Sequence, residues 1–432
     1  MDSKTVRAKH REYLLPAVAN YYEEPLVPWE GKGARLKDLD GRTYLDCFGG
    51  ILTISVGHAN ERVTAAITQQ VQRLTHLSTL YPTVPMVELA ERLVRVAPGA
   101  LKKAFFTASG SEANEMAVNL AQTHTGHLEI IALRYGYSGR TAMAQSLGGN
   151  ASYRSIPAQI GTVRHALSPY CYRCPLKLEP SSCGVQCARD IEELIRTTTA
   201  GRVAGMLVEP IQGLGGFITP PREYLEIAAE IVRKHGGVMI IDEVQTGFGR
   251  TGKMWGSQQY GVEPEILTAA KGIANGLPLG ATLCTAGIGD SFRAATISTF
   301  GGNPVSCAAA VAVLDEIEEK QLAENAARRG QELRAGLERL QRSNRRTIGE
   351  VRGMGLMQGL ELVQDETTGD RTPNVTAVAQ VFEETRKRGL LVGRGGLYGN
   401  VLRLAPPLTI TAAEVEEALR ILEESFAAIR AE

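Results

Sequence analysis

The sequence predicts an α/β fold, with a large domain built on a mostly parallel sheet and a smaller α+β domain after it. Three observations predict this. From about residue 60 to 300, helical patterns alternate with short apolar runs that end in small or polar residues, the rhythm of βαβ units. No Ser/Gly linker, internal repeat or low-complexity tract divides that region. After about residue 305 the text changes to long helical patterns over 307–342, followed by a strand-like run over 355–362. The expected division is an N-terminal arm that joins the small domain (1–60), a large domain (61–304) and a C-terminal small domain (305–432).

In chain order, Pro16, Pro25 and Pro28 punctuate the arm, and Asp40-Gly41 makes a turn before Thr43-Tyr44-Leu45. Phe105-Phe106-Thr107 reads as a strand entering a Ser109-Gly110-Ser111 turn, then a helix carrying Met116, Val118 and Leu120. Val203–Val208 is a short apolar run, as expected of a strand buried on both faces. Pro220 and Pro221 lead a helix whose Leu225, Ala228, Ile231 and Val232 follow the 3.6 period, and Gly236 supplies a left-handed stop. Val238–Ile241 is the next strand, ending at Asp242-Glu243. The chain closes with Thr411-Ala412-Ala413-Glu414, a capping box, ahead of the stripe Val415, Leu419, Leu422 and Phe426.

Composition narrows the function. The 432 residues carry 47 Lys+Arg against 47 Asp+Glu, so the excess positive charge that drives binding to nucleic acid or anionic membranes is missing. Hydrophobic residues at 44% and charged residues at 22% exclude disordered and fibrous classes. No window supplies the roughly 20 apolar residues of a membrane span. Seven cysteines are too few for a disulfide scaffold in so long a chain. The first residues have no apolar core behind their charges, so the expectation is a cytoplasmic enzyme acting on small molecules.

Three places could carry chemistry. The Ser109-Gly110-Ser111 turn opens a helix, whose free N–H groups and dipole suit a phosphate. Asp242 stands just past an apolar strand, where a carboxylate needs a partner because desolvation costs several kcal/mol. A pyridinium nitrogen would satisfy it. Lys271 follows the apolar stretch Leu267–Ala270 among small residues, and burial would make it a Schiff-base nucleophile. A phosphate cup, a ring-nitrogen partner and an imine lysine make up the part list for pyridoxal 5′-phosphate. Glu209, also just past a strand, is expected to share the crevice with Asp242.

With these residues in view, the chain resembles the class III aminotransferases of the fold type I pyridoxal-phosphate enzymes over nearly its whole length. The motifs are Glu209-Pro210-Ile211-Gln212-Gly213, Ile241–Arg250 (IDEVQTGFGR), Ala270-Lys271-Gly272, Thr299–Pro304 (TFGGNP) and Arg403–Leu408 (RLAPPL). The resemblance implies a seven-stranded, mostly parallel sheet and a ping-pong transfer of an amino group from an amino or ω-amino acid to a 2-oxo acid. It also implies roles. Lys271 forms the imine and moves the proton, Asp242 holds the ring nitrogen, and Gly110 and Ser111 cradle the phosphate. Val244 and Tyr137 pack on the two ring faces, and Gln245 bonds the phenolic oxygen. Thr299 reaches the phosphate in a neighbouring subunit, implying a homodimer with shared sites, a tetramer being left open. Arg403 grips a substrate carboxylate, and Glu209 pairs with Arg403 when none is bound. Two departures stand out: Tyr137-Ser138-Gly139 replaces the Tyr-His-Gly of many relatives, and Ile297 stands where some carry histidine.

The substrate pair stays open. Cys47–His58, His76–Thr79 and Val351–Leu356 look most like alanine–glyoxylate aminotransferases. Arg140, however, follows Tyr137-Ser138-Gly139 as in 4-aminobutyrate, ornithine and acetylornithine aminotransferases, where it binds the second carboxylate of 2-oxoglutarate. Dialkylglycine-type decarboxylase, aminomutase and phospho-lyase outcomes use the same parts. A nucleotide-dependent oxidoreductase lacks its G-x-G-x-x-G turn here, and a sensor domain would be expected to lack Lys271. No catalytic metal is implied. Cys171, Cys174, Cys183 and Cys187 form C-x₂-C and C-x₃-C pairs within 17 residues, and zinc binding, disulfides or reduced thiols remain alternatives. His58, His76 and His235 are spaced unlike metal ligands and are read as local hydrogen-bonding residues.

Overall fold

The computed structural model describes residues 1–154 and 159–431. Seven strands build its main sheet: β1 (Leu101–Thr107), β2 (Ile130–Leu133), β3 (Val163–Ala166), β4 (Gly205–Val208), β5 (Val238–Asp242), β6 (Ile266–Ala269) and β7 (Gly280–Thr285). Their spatial order is β1-β7-β6-β5-β4-β2-β3. Only β7 pairs antiparallel, with β1 on one side and β6 on the other. The central run from β3 through β6 is parallel. Strands β2, β4, β5 and β6 are buried along their whole length, which is why they read as continuous apolar runs and not as alternating ones.

The connecting helices begin and end where the sequence says they should. Ser109 caps Gly110–Thr125, its Oγ accepting from Glu112 N at 3.3 Å. After Lys234 the chain turns through Gly236 at φ +80°. The strand expected over Val203–Val208 is shorter, Gly205–Val208, because Val203 and Ala204 pair with the turns at His235 and Glu129 before the ladder begins. The helix after Pro220-Pro221 starts at Tyr224.

Beyond residue 303 the long helical pattern resolves into Pro304–Glu319 and Leu322–Ser343, broken where Gln321 takes φ +51°. The first of these buries ten side chains and packs against Glu61–Arg73 and Val84–Val96. The strand-like run expected over 355–362 starts two residues later, as Met357–Asp365, because Gly355 (φ +54°) forms the turn of a hairpin with Ile348–Met354. Val401–Leu404, Gly393–Gly395 and Asp370–Pro373 complete this second sheet. A third, small sheet joins the two ends of the chain: Pro28–Lys32, Arg35–Asp38 and Thr43–Asp46 form a meander, and Leu390–Leu391 pairs parallel to its last strand. Thr411 and Glu414 form the expected reciprocal cap. Among the described residues, no helix is long and apolar enough to cross a membrane.

Candidate active site

The carboxyl ends of adjacent parallel strands are where an open α/β sheet leaves a crevice. Here that edge opens into a cavity of about 320 Å³. Gly110, Ser111, Tyr137, Arg140, Glu209, Asp242, Val244, Gln245 and Lys271 all line it. Nine of the residues singled out in the sequence, from five separate segments, therefore meet in one place.

The anion cup comes from the first turn of helix Gly110–Thr125. The amides of Gly110 and Ser111 have no intrahelical acceptor, and the helix dipole adds partial positive charge. Gly110 is held close: a Cβ there would press on Val244 at 3.2 Å and on Ala270 at 3.3 Å. Gly139, at φ +132°, lets the following loop fold onto this turn, and Arg140 N then donates to Ser111 Oγ at 3.1 Å. A side chain at 139 would collide with Ser111.

Asp242, the last residue of β5, is 3% exposed. Its Oδ2 accepts from Asn114 Nδ2 at 2.8 Å and its Oδ1 from Val244 N at 3.0 Å. Asn114 is itself fixed, donating to Ser138 O at 2.9 Å and accepting from Thr268 Oγ1 at 2.7 Å. Burial pushes the Asp242 carboxyl above its ordinary range, while these two donors and the Lys271 charge pull it down. The adjacent Glu243 does something else. It accepts from Gly256 N at 2.8 Å, Ser257 N at 2.7 Å and Thr246 Oγ1 at 2.5 Å, so it ties down the loop after β5.

Lys271 stands two residues beyond β6 with φ +47°, a conformation that a side-chain-bearing residue rarely takes. Burial lowers its pKa, against the attraction of Asp242 and Glu209. Among the described residues its amine makes no hydrogen bond, so it is presented to the cavity. Glu209 is buried, and its pKa rises to about 8 because of desolvation and the neighbouring Asp242 charge.

Glu209 and Arg403 do not pair, contrary to the sequence expectation. The Glu209 carboxylate instead accepts from Tyr137 N at 3.0 Å and Gly213 N at 2.7 Å. Arg403 donates to Gly213 O at 3.2 Å and Arg394 O at 2.9 Å, leaving Nε without a partner. Its guanidinium lies 4.9 Å from the Phe48 ring centroid and 5.5 Å from that of Phe217. Two backbone amides donate to the Glu209 carboxyl and two carbonyls accept from Arg403, so each side chain is held without a direct bridge between them.

Arg140 is exposed at the rim. Thr299 is exposed and lies outside this cavity's lining. The three histidines behave as local hydrogen-bonding groups: His58 meets Asp46 at 2.9 Å, His76 meets Asn303 at 3.3 Å and His235 meets Gly201 O at 2.7 Å. Sequence reasoning passed over Asn114 and Thr268. The signal for Asn114 was available, since it lies one helical turn after Gly110 and so on the same face. Nothing in the sequence pointed to Thr268.

A seven-stranded sheet that sets a lysine, a carboxylate and a helix N-terminus around one cavity has the architecture of an α/β enzyme. The chain belongs to the aminotransferase class-III family, which it matches over residues 17–426, and it is a transaminase. It is 40% identical to the mitochondrial alanine–glyoxylate aminotransferase 2 homolog 2 of Arabidopsis thaliana, over 98% of this chain and 88% of that one. It is 36% identical to the leucine/methionine racemase of Thermococcus litoralis, over 96% and 93%. A solved (S)-enantioselective omega-transaminase from Thermomicrobium roseum superposes with a TM-score of 0.92 at 33% identity, covering 99% of both chains.

Proposed function

We propose that this cavity holds pyridoxal 5′-phosphate and moves an amino group from alanine, 4-aminobutyrate or a similar donor to a small 2-oxo acid such as glyoxylate, pyruvate or 2-oxoglutarate. The observation that carries the reading is the pairing, across one cavity, of an unengaged lysine with a buried carboxylate whose hydrogen-bond donors are all neutral. Such a carboxylate has no cation in hydrogen-bond contact, and a protonated ring nitrogen would supply one. Gly110 and Ser111 offer amides to a phosphate, and a cavity of about 320 Å³ suits a ligand of this size. Bound there, the cofactor supplies an electron sink for the substrate's α-carbon.

The protein's own groups do the rest. Lys271, its pKa lowered by burial, would hold the cofactor through its amine and carry the proton at the substrate's α-carbon. Asp242 keeps the ring nitrogen protonated, and Asn114 aims its carboxylate. Val244 and Tyr137 wall the ring, with Gln245 beside them carrying an unpartnered carboxamide oxygen. Arg403 orients the substrate carboxylate, and Arg140 offers a second cationic contact at the rim for a dicarboxylic acid.

The functional unit in this proposal is a homodimer. Ile297 (62% exposed) and Phe300 (64%) flank Thr299, and the Ser298–Thr79 hydrogen bonds set exposed Leu80 and Tyr81 beside them. An apolar patch of this kind suits a second copy, which would take Thr299 toward its own phosphate. Half-reactions test the function. Purified protein loaded with pyridoxal phosphate should lose its visible absorbance with an amino donor and regain it with a 2-oxo acid. Bleaching accompanied by carbon dioxide or phosphate release would replace transamination with another outcome. No imine absorbance at all would overturn the assignment of Lys271 and Asp242.

A further inference from the structure

The transaminase site leaves the cysteine motif unused, and the fold gathers it. Cys171 and Cys174 bracket a single 3₁₀ turn, Cys171–Arg173. Cys183 precedes helix Gln186–Thr198, and Cys187 lies in its first turn. All four line one cavity of about 20 Å³. A space of that size holds about one water-sized atom. Most of its remaining wall is apolar, including Pro175, Leu176, Leu178 and Pro221, so sulfur is the main donor offered. None of the four is in a disulfide.

We propose that Cys171, Cys174, Cys183 and Cys187 form a structural site for one thiophilic divalent cation of the zinc type. The C-x₂-C and C-x₃-C spacings fit a tetrahedral sulfur set. As placed, no three of the sulfurs converge on one ligating point among the described residues. Binding therefore includes staggered rotations about their Cα–Cβ bonds around a cavity already the size of one ion. The Cys183 Sγ to Pro180 O hydrogen bond that this breaks, at 3.8 Å, is weak. On binding, four S–H bonds are lost, four metal–sulfur bonds form, and four protons go to solvent, with no change of oxidation state.

The location explains why such a knot is useful. Between β3 and helix Gln186–Thr198 the only regular element is that 3₁₀ turn. The residues interleaved with the cysteines reach the second sheet: the Tyr170 hydroxyl and Arg173 Nε both bind Glu361, and the Tyr172 hydroxyl binds Glu366. Arg371 stacks on the Tyr172 ring at 4.5 Å and donates to Tyr172 O at 3.1 Å. A metal would hold the sulfur side of this strap while its other side bridges the two sheets.

The test is metal content of the full-length protein, purified under reducing conditions without chelator. About one zinc per chain is expected, falling at least several-fold in Cys174→Ser and in Cys187→Ser. Reconstitution of the wild type with Co²⁺ should give sulfur-to-cobalt charge-transfer bands and the visible bands of a tetrahedral site. A thiol-specific mercurial should release the metal without changing the absorbance of the Lys271 imine. Metal that survives in the serine variants would be adventitious and would overturn the proposal. So would a wild type with no metal and no cobalt bands, whether its thiols titrate as four free groups or as oxidised pairs.

Discussion

Replacing Asn114 with leucine isolates the group that aims Asp242. Among the described residues, Asp242 takes two hydrogen bonds, from Asn114 at 2.8 Å and Val244 N at 3.0 Å. A hydrogen bond to a charged group contributes about 1.5–3 kcal/mol, roughly 10- to 150-fold in an equilibrium constant. Asn114→Leu removes one of the two, so the carboxyl, already raised by burial, moves further up. It also orphans Thr268 Oγ1 and Ser138 O, each a penalty of about 1–3 kcal/mol to the fold. A pH series separates the two effects. Cofactor-free protein is titrated with pyridoxal phosphate, and affinity should fall about 10- to 100-fold at acidic pH, where the carboxyl must first lose its proton. The gap from wild type should close as pH rises. A loss equal at every pH would mean that Asn114 only packs, and no loss would mean that it does not orient Asp242.

Three further outcomes are expected. Lys271→Ala should abolish turnover in steady-state assays while leaving the far-ultraviolet circular dichroism unchanged. Arg140→Ala should raise the KM for 2-oxoglutarate more than that for pyruvate. Because Arg140 is exposed, the difference should be about 1 kcal/mol, roughly five-fold. Equal effects on both acids would make Arg140 structural. Glu209 keeps its proton up to about pH 8 when folded, against an ordinary value of 4.5. The native state therefore binds more protons than the unfolded one between those values. The resulting stabilisation is full below the unfolded value and is lost as pH rises through about 8, by at most about 1.4 kcal/mol per pH unit. Thermal midpoints of cofactor-free wild type should fall over that window relative to Glu209→Gln, and parallel curves would refute the burial argument.

The part of this site that was legible in the sequence is the part built from local pattern. Asp242 and Lys271 each end an apolar run, and the cup opens a capped helix, so strand ends and helix starts located three groups before any contact was known. The seven-stranded sheet followed from the resemblance, while its parallel core was readable from unbroken apolar runs. What stayed hidden depends on contacts between segments far apart in sequence. Asn114 meets Asp242 across 128 residues, and Thr268 meets Asn114 across 154. Element ends were missed for a local reason. Gln321 and Gly355 take positive φ, and only at Gly355 does the residue type advertise it.

The Glu209–Arg403 expectation failed in a way that shows how the site is built. Opposite charges brought into one crevice suggest a bridge, but a buried pair has first to repay two desolvation penalties. The fold gives each group other partners, and Gly213 serves both. Its N–H goes to Glu209 and its carbonyl oxygen accepts from Arg403, so the two side chains are tied to one residue without touching. Position 213 has no room for a side chain because the Gln245 carboxamide fills that space. One glycine therefore sets the separation of carboxyl and guanidinium and the place of Gln245 in the cavity wall. That arrangement leaves Arg403 Nε buried without a partner, so in the proposed reaction a substrate carboxylate reaching Arg403 has no Glu209 ion pair to break.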